Sequence, residues 1–123
     1  MYQKIVVVGR VGKQPEFHEL DGGRKVATFK IADNHCYVRE GKRVVETTWF
    51  TVSVWGRTAE IARQMLEIGS IVLVEGRMMS DANGNPRQFT TRAGEPASKF
   101  EISASNLRVL PSKEAAVLDE MPY

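Results

Sequence analysis

The sequence has little of the chemistry that metal sites and disulfide-bonded folds require. Its 123 residues contain one cysteine, Cys36, and two histidines, His18 and His35. A single cysteine permits no internal disulfide, and these three residues lack the spacing of a structural zinc site. We therefore expect no metal and no other cofactor.

Long hydrophobic runs are missing as well. No uninterrupted apolar run exceeds the one from Ile5 to Val8, which is far too short to span a membrane. The N-terminus also lacks the apolar stretch of a secretion signal. We expect a soluble, cytoplasmic protein with no membrane partner.

Catalytic motifs are absent. The segment "GRVGKQ" has neither the spacing nor the hydroxyl of a phosphate-binding loop, and no serine lies in a nucleophile elbow. His35 and Cys36 are sequence neighbours, which the partners of a catalytic dyad seldom are. The carboxylates are scattered, with no pair spaced for acid–base or metal chemistry. The sequence favours a binding protein over an enzyme.

The charge is small but unevenly distributed. The chain carries a net +2, yet residues 112–123 hold one lysine against three carboxylates, hence −2, which leaves +4 for residues 1–111. A mildly basic body with an acidic end is typical of a nucleic-acid binder whose tail faces elsewhere, although unrelated proteins share such numbers.

Hydrophobic periodicity predicts an all-β protein with one helix. Strands are expected at Ile5–Val8, with both faces buried, and at Val26–Ala32, Trp49–Trp55 and Ile71–Glu75. Shorter strands are expected at Phe89–Arg92 and Phe100–Ser103, and Leu107–Leu110 could extend the last one. The polar stretch from Asp33 to Thr48 predicts an extended hairpin. The helix "RTAEIARQMLEIGS" is expected to start at an N-cap, Thr58, to end near Gly69, and to bury an apolar stripe made of Ile61, Ala62, Met65 and Leu66.

This order of elements predicts an OB-fold, a five-stranded Greek-key barrel with the helix between the third and fourth strands. An unrelated β-sandwich is the alternative, but it does not require a helix there. The length allows one core. We expect one domain over residues 1–111, with its edge at Pro111, and a short flexible acidic tail over 112–123.

The strand "WFTVSVW" raises a question about its two tryptophans. Strand alternation directs Phe50, Val52 and Val54 toward the core and places Trp49, Thr51, Ser53 and Trp55 on the polar face. At about 3.3 Å per residue the indoles lie roughly 20 Å apart. They could cover a second core or a subunit interface. Alternatively, they could stack on bases.

Nearby residues favour the second interpretation. The flanking segments supply one more aromatic side chain and several cations: Tyr37, Lys30, Lys42, Arg43 and Arg57. Aromatic rings interleaved with cations suit an unpaired nucleic-acid strand, since bases stack on rings and phosphates bind cations. Arg77 is also assigned to this site, and its assignment, like those of Lys30, Lys42 and Arg43, rests on strand face and charge alone.

The segments "KIVVVGRVGKQPE", "KVATFKIA", "TTWFTVSVWGRTAEIA" and "GSIVLVEGRM" resemble, in this order, the single-stranded-DNA-binding proteins of bacteria, phages and plasmids. The resemblance implies an OB-fold, a homotetramer, and DNA wrapped over aromatic and basic side chains. It puts Trp49 and Trp55 at stacking positions, Tyr37 where an aromatic stacker often lies, and Arg57 at a basic position. The sequence departs from the family pattern in two places. No tryptophan follows "EGR", and "RAGEPASK" has no clear counterpart in relatives.

The chain closes with "LDEMPY". This stretch is similar to the family's acidic tip, which recruits replication and repair proteins, and a frayed end without function is the alternative. The residues assigned to partner binding are Asp119, Glu120, Met121, Pro122 and Tyr123.

The resulting expectation is a nucleoid-associated protein that binds single-stranded DNA without sequence preference during replication, recombination and repair. Two alternatives remain. One is a primosome-type OB-fold adaptor that acts mainly through protein contacts, and the other is a small nucleic-acid-modifying enzyme.

Overall fold

Eight strands and one α-helix make up the part of the chain that the computed structural model describes, residues 1–111. The elements are β1 (Ile5–Val11), β2 (Glu16–Glu19), β3 (Lys25–Arg39), β4 (Lys42–Trp55), α1 (Gly56–Met65), β5 (Ile71–Met78), β6 (Gln88–Thr90), β7 (Pro96–Ser98) and β8 (Phe100–Val109). A single 3-10 turn, Asp21–Gly23, joins β2 to β3. Within residues 1–111 no helix is long and apolar enough to cross a membrane.

Five of the strands close into a barrel. They pair in the order β1-β5-β8-β4-β3, and β3 returns to β1 through Arg10 opposite Ala32 and Val11 opposite Ile31. The β4–β8 ladder is parallel, whereas the other barrel ladders are antiparallel. The predicted five-stranded OB-fold, with its helix between the third and fourth barrel strands, is confirmed.

The interior of the barrel is filled by alternate residues of its strands. Five of the six expected inward residues of β3 and β4 are buried, with relative exposures of 0–2% for Ala27, Phe29, Ile31, Val52 and Val54. The sixth, Phe50, is partly buried and packs against this core. Because the side-chain period of a strand is two, burying these residues fixes which face of each strand is directed outward.

The first strand departs from the prediction. Val7 and Val11 join the core at 7% and 1% exposure, but Val6 is 53% exposed. The reason is that β1 belongs to a closed barrel, where each strand has one inner and one outer face. The expectation that both of its faces are buried is therefore wrong for the single chain.

The helix also differs from the prediction in its bounds and in its buried face. It ends at Met65, with Leu66 as the C-cap, and not near Gly69. It begins at Gly56 with no side-chain cap, so Thr58 lies in the first turn and is not the N-cap. The face packed on the barrel consists of Ala59 and Ala62, followed by Leu66 just past the helix, all at most 1% exposed. Ile61 and Met65, expected in the buried stripe, are 38% and 56% exposed.

Gly76 marks an irregularity in the barrel wall. The β5–β8 register shifts between Glu75 and Gly76, as expected for a kink at this glycine. A Cβ atom on residue 76 would lie 2.1 Å from the Ser103 carbonyl oxygen, so the two strands approach each other too closely for a side chain here.

Leu66 and Met65 provide a test of the helix orientation. We expect Leu66→Ala to lower the free energy of unfolding by about 2–5 kcal/mol, because the fully buried side chain leaves a cavity. The adjacent Met65→Ala should change it by about 0.5 kcal/mol or less, since that side chain is exposed. Urea unfolding of the two variants measures the difference, and equal losses would contradict the orientation.

Candidate nucleic-acid interface

The two indoles lie on the outer face of β4, at its two ends within the barrel. Trp49 is 50% exposed and Trp55 is 39% exposed, so neither ring is sealed inside this chain. Between them Val52 and Val54 are fully buried on the opposite face. The strand alternation expected for "WFTVSVW" is the one observed.

Trp49 borders a groove with a volume of about 620 Å³. The barrel side of this groove also carries Lys13, which follows β1, and the exposed Lys30 of β3, which pairs with Thr51 of β4. We call this the Trp49 groove. Lys30, predicted from its strand face and charge, is therefore brought next to the first indole.

The Trp49 ring lies close to the backbone at Gly12. A Cβ atom on residue 12 would lie 2.5 Å from ring atom Cζ3, well inside the roughly 3.5–4.0 Å of carbon–carbon contact. Gly12 is needed for this close approach. It thus sets the position of the indole in addition to bending the chain after β1.

Trp55 borders a second groove, with a volume of about 500 Å³, at the start of β3 and α1. The Arg24 guanidinium lies 5.2 Å from the Trp55 ring centroid, within the range of a cation–π contact. The exposed Arg57, predicted from the sequence, lines the same groove from the first turn of α1. We call this the Trp55 groove.

An ion pair between Lys25 and Glu60 lines the Trp55 groove and links β3 to α1. The hydrogen bond and charge of Lys25 lower the pKa of the Glu60 carboxyl, and the same contact raises the pKa of Lys25. A carboxyl with a lowered pKa keeps its charge until the pH falls through that value, and a lysine with a raised pKa keeps its charge until the pH rises through that value. The pair therefore persists at neutral pH and is lost only in acid or in strong base. Arg24 and Arg57 are the remaining cations beside this indole.

Arg77 lies in a different place from either indole. It pairs with Ser103, which pairs with Ser53 of β4, so it shares the outer face of the barrel with the tryptophans. However, it lines a separate groove of about 330 Å³ that also contains Tyr2 and Lys4.

The remaining predicted residues lie where β3 and β4 extend past the barrel as a two-stranded arm. Lys42 is exposed at the tip, and alternation directs Arg43, which pairs with Val38, to the same face as Trp49. Tyr37, which pairs with Val44, lies on the opposite face. Neither groove includes these three residues, so they extend the surface beyond the grooves.

Tyr37 has local partners on its face of the arm. Its hydroxyl donates a hydrogen bond to Glu46 Oε1 at 2.8 Å, and its ring lies 5.7 Å from the ring of His35. The hydrogen bond to Glu46 raises the pKa of the Tyr37 hydroxyl, which therefore stays protonated at neutral pH.

Among the cations and aromatic rings that line the two grooves, sequence reasoning missed six: Lys13, Arg24, Lys25, Phe89, Lys99 and Phe100. Arg24 is close to the predicted strand at Val26, and the Val26–Trp55 pairing brings it to the second indole. A predicted β3–β4 register would have found it. Phe89 and Lys99 lie some forty to fifty residues beyond Trp49 in the sequence, and no local pattern connects them to it.

No group of three or more histidine, cysteine, aspartate or glutamate side chains among residues 1–111 is arranged to hold a metal ion.

The family can now be assigned. Residues 2–110 match the single-strand binding protein family. The chain belongs to this family. A protein of Wolinella succinogenes named single-stranded DNA-binding protein is 34% identical over 117 residues, which cover 94% of this chain and 68% of that protein. The resemblance found in the sequence is thus confirmed, and membership of a family of DNA-binding proteins agrees with the expectation that the chain is not an enzyme.

Solved structures of the family give the same result. The small single-stranded DNA-binding protein of Streptomyces coelicolor superimposes with a TM-score of 0.74 at 25% identity, covering 90% of this chain and 96% of that one. A Plasmodium falciparum SSB complex with ssDNA superimposes with a TM-score of 0.71 at 29% identity, covering 90% and 97%.

The contact between Gly12 and Trp49 generates a prediction. In a Trp55→Phe background, where Trp49 is the remaining indole, we expect Gly12→Ala to increase acrylamide quenching of the tryptophan emission. The added methyl group would overlap ring atoms Cζ3 and Cη2, so the ring must move away from residue 12 and become more accessible to solvent. Lys13→Ala is the control, because it changes the adjacent residue without adding an atom against the ring. Unchanged quenching in the Gly12→Ala variant would contradict the close contact between residue 12 and the Trp49 ring.

Proposed function

We propose that this protein binds single-stranded DNA without sequence preference and protects it. The observation that carries the proposal is the pair of exposed indoles on one strand, about 20 Å apart. Each indole lies beside cations that can bind phosphates: Lys30 at Trp49, and Arg24 and Arg57 at Trp55. The family membership and the neighbour named as a complex with ssDNA support it.

The mechanism follows from the two kinds of side chain. Every base has a π-face, so stacking on an indole stabilises binding by about 1–3 kcal/mol per base whatever the sequence. In a duplex these faces are occupied by neighbouring base pairs, which leaves the rings without a partner. The cations bind phosphates and add a strong dependence on salt.

We extend the proposal to roles in replication, recombination and repair, to assembly as a homotetramer, and to recruitment of partner proteins by Asp119, Glu120, Met121, Pro122 and Tyr123. These five residues lie outside the described residues, and their proposed role rests on their chemistry. The two carboxylates suit a basic partner surface, while the apolar and aromatic side chains suit a pocket. Light scattering of the full chain measures the oligomeric state.

A fluorescence titration with oligo-dT tests DNA binding. We expect strong quenching, and a loss of about 1–3 kcal/mol in binding free energy for each of Trp49→Ala and Trp55→Ala, the remaining indole serving as the reporter. A log–log plot of affinity against salt should have a slope of about −0.7 for each phosphate neutralised. Arg108→Gln, on β8 opposite Leu73 and outside both tryptophan grooves, removes one positive charge and serves as the control.

The same titration with double-stranded DNA of equal length can refute the proposal. Duplex binding as tight as single-strand binding, or tryptophan variants no weaker than Arg108→Gln, would refute the proposal. Weak binding of all DNA by the unaltered protein would instead favour the adaptor alternative.

Deletion of residues 119–123 tests the tip. We expect the truncated protein to bind oligo-dT with unchanged affinity, because the grooves are formed by residues 12–100, and to lose capture of replication or repair proteins in a pull-down. A scrambled tip of the same composition controls for charge. If the truncated protein still captures the same partners, the tip is not the recruiting element.

A further inference from the structure

The β6–β7 hairpin is a small sheet separate from the barrel. It consists of three register pairs, Gln88 with Ser98, Phe89 with Ala97, and Thr90 with Pro96, and it is inserted between β5 and β8. Phe89 is 45% exposed and takes no part in the core of the barrel. An exposed ring on a separate hairpin calls for a role other than core packing.

The hairpin contributes to the Trp49 groove. In addition to the barrel residues, this groove is lined by Phe89, by Ser98 at the end of β7, and by Lys99. The groove therefore has three aromatic side chains, Trp49 and Phe100 from the barrel and Phe89 from the hairpin. Its volume of about 620 Å³ falls within the roughly 300–1,000 Å³ of sites that enclose a small organic group.

Both ends of the hairpin are attached to one buried carboxylate. Glu101 of β8 is 7% exposed and pairs with Thr51 of β4. Arg87 Nε, just before β6, lies 3.3 Å from Glu101 Oε2, although the two are not aligned as a hydrogen bond, and Lys99 Nζ, just after β7, lies 3.5 Å from Oε1. A buried charge is strongly destabilising when its partners are removed, so these ion pairs hold the hairpin base beside the groove.

The charge of the groove indicates its occupant. Its side chains include three lysines, Lys13, Lys30 and Lys99, and no carboxylate among the described residues that line it. Lys13 and Lys99 each form an ion pair with a neighbouring carboxylate, whereas Lys30 has no ion pair among the described residues. The Lys99 ammonium also lies 5.7 Å from the Phe89 ring centroid. The hairpin thus repeats the combination of ring and cation that Arg24 and Trp55 form in the other groove. An aromatic group attached to anions fits this surface, as in a nucleotide of a DNA strand.

We propose that Phe89 is a further base-stacking residue and that the β6–β7 hairpin, with Lys99, holds a nucleobase in the Trp49 groove. This inference rests on the proposed binding of single-stranded DNA. In this arrangement the base at Trp49 contacts two rings, whereas the base at Trp55 contacts one ring and the Arg24 guanidinium.

Affinity for oligo-dT is the first readout. We expect Phe89→Ala to raise Kd by about 5- to 150-fold, the range that corresponds to the loss of one stacking contact. Phe89→Leu, which keeps an apolar side chain but no π-face, should also weaken binding. Thr90→Ala on the same exposed hairpin is the matched control and should leave Kd unchanged.

Combining two substitutions in one protein tests whether Phe89 contacts the same base as Trp49. If Phe89 and Trp49 contact the same base, the combined Phe89→Ala and Trp49→Ala variant should lose less affinity than the product of the two single losses. Phe89→Ala combined with Trp55→Ala should lose the full product, because that indole is about 20 Å from Trp49. The opposite pattern would overturn the assignment of Phe89 to the Trp49 groove.

A direct reporter completes the experiment. Phe89→Trp in a protein with Trp49→Phe and Trp55→Phe has a single indole on the hairpin, and we expect saturating oligo-dT to quench its emission. Absence of quenching, or an affinity of Phe89→Ala equal to that of Thr90→Ala, would overturn the inference. If Trp49→Ala and Trp55→Ala still weaken binding in that case, the proposed function stands without it, whereas unaffected tryptophan variants would refute the proposed function itself.

Discussion

The two-residue alternation of β4 within a closed barrel is the constraint on which the surface depends. Val52 and Val54 are fully buried because the interior of a five-stranded barrel must be filled by side chains. Once these valines point inward, Trp49 and Trp55 must point outward, and a register slip of one residue would exchange the two faces. The core therefore determines both the exposure of the indoles and their separation. The same strand that stabilises the fold displays the binding surface.

The cations of this surface differ in whether they form ion pairs. Lys25 pairs with Glu60, and Arg87 and Lys99 lie beside Glu101, whereas Lys30 and Arg57 are exposed in the grooves with no ion pair among the described residues. The two carboxylates differ in position, since the Glu101 side chain is 9% exposed and that of Glu60 is 46% exposed. The buried one secures a hairpin, and the exposed one joins a helix to a strand, where solvent screening weakens the contribution of the pair. Acidic residues at this surface thus act mainly in holding its elements together.

Much of this fold follows from local sequence patterns, and what does not follow depends on contacts that are distant in the sequence. The alternation of "WFTVSVW", the helix after it and the glycine kink at Gly76 are local, and all three are observed. The helix boundary at Gly56 and the exposure of Met65 could not be predicted, because the barrel end accepts a face of small alanines and leaves the larger apolar residues in solvent. Likewise, Val6 belongs to an apolar run, yet the closure of the barrel gives its strand an outer face. For the site, strand faces identified Lys30, but Arg24 required the β3–β4 register and Phe89 required the position of an inserted hairpin.

The two grooves share one strand but are built from different neighbours. Trp49 is flanked by the segment after β1 and by the β6–β7 hairpin, whereas Trp55 is flanked by the start of β3 and the first turn of α1. Because β4 is buried along one face and paired on both edges, the distance between the indoles is held by the core of the barrel. The flanking segments are at the surface, where insertions and substitutions cost little stability. Changes in loop sequence can therefore alter the affinity of one groove without affecting the other or the spacing between them. An insertion such as the β6–β7 hairpin is compatible with this arrangement because it leaves the five-stranded barrel and both indoles in place.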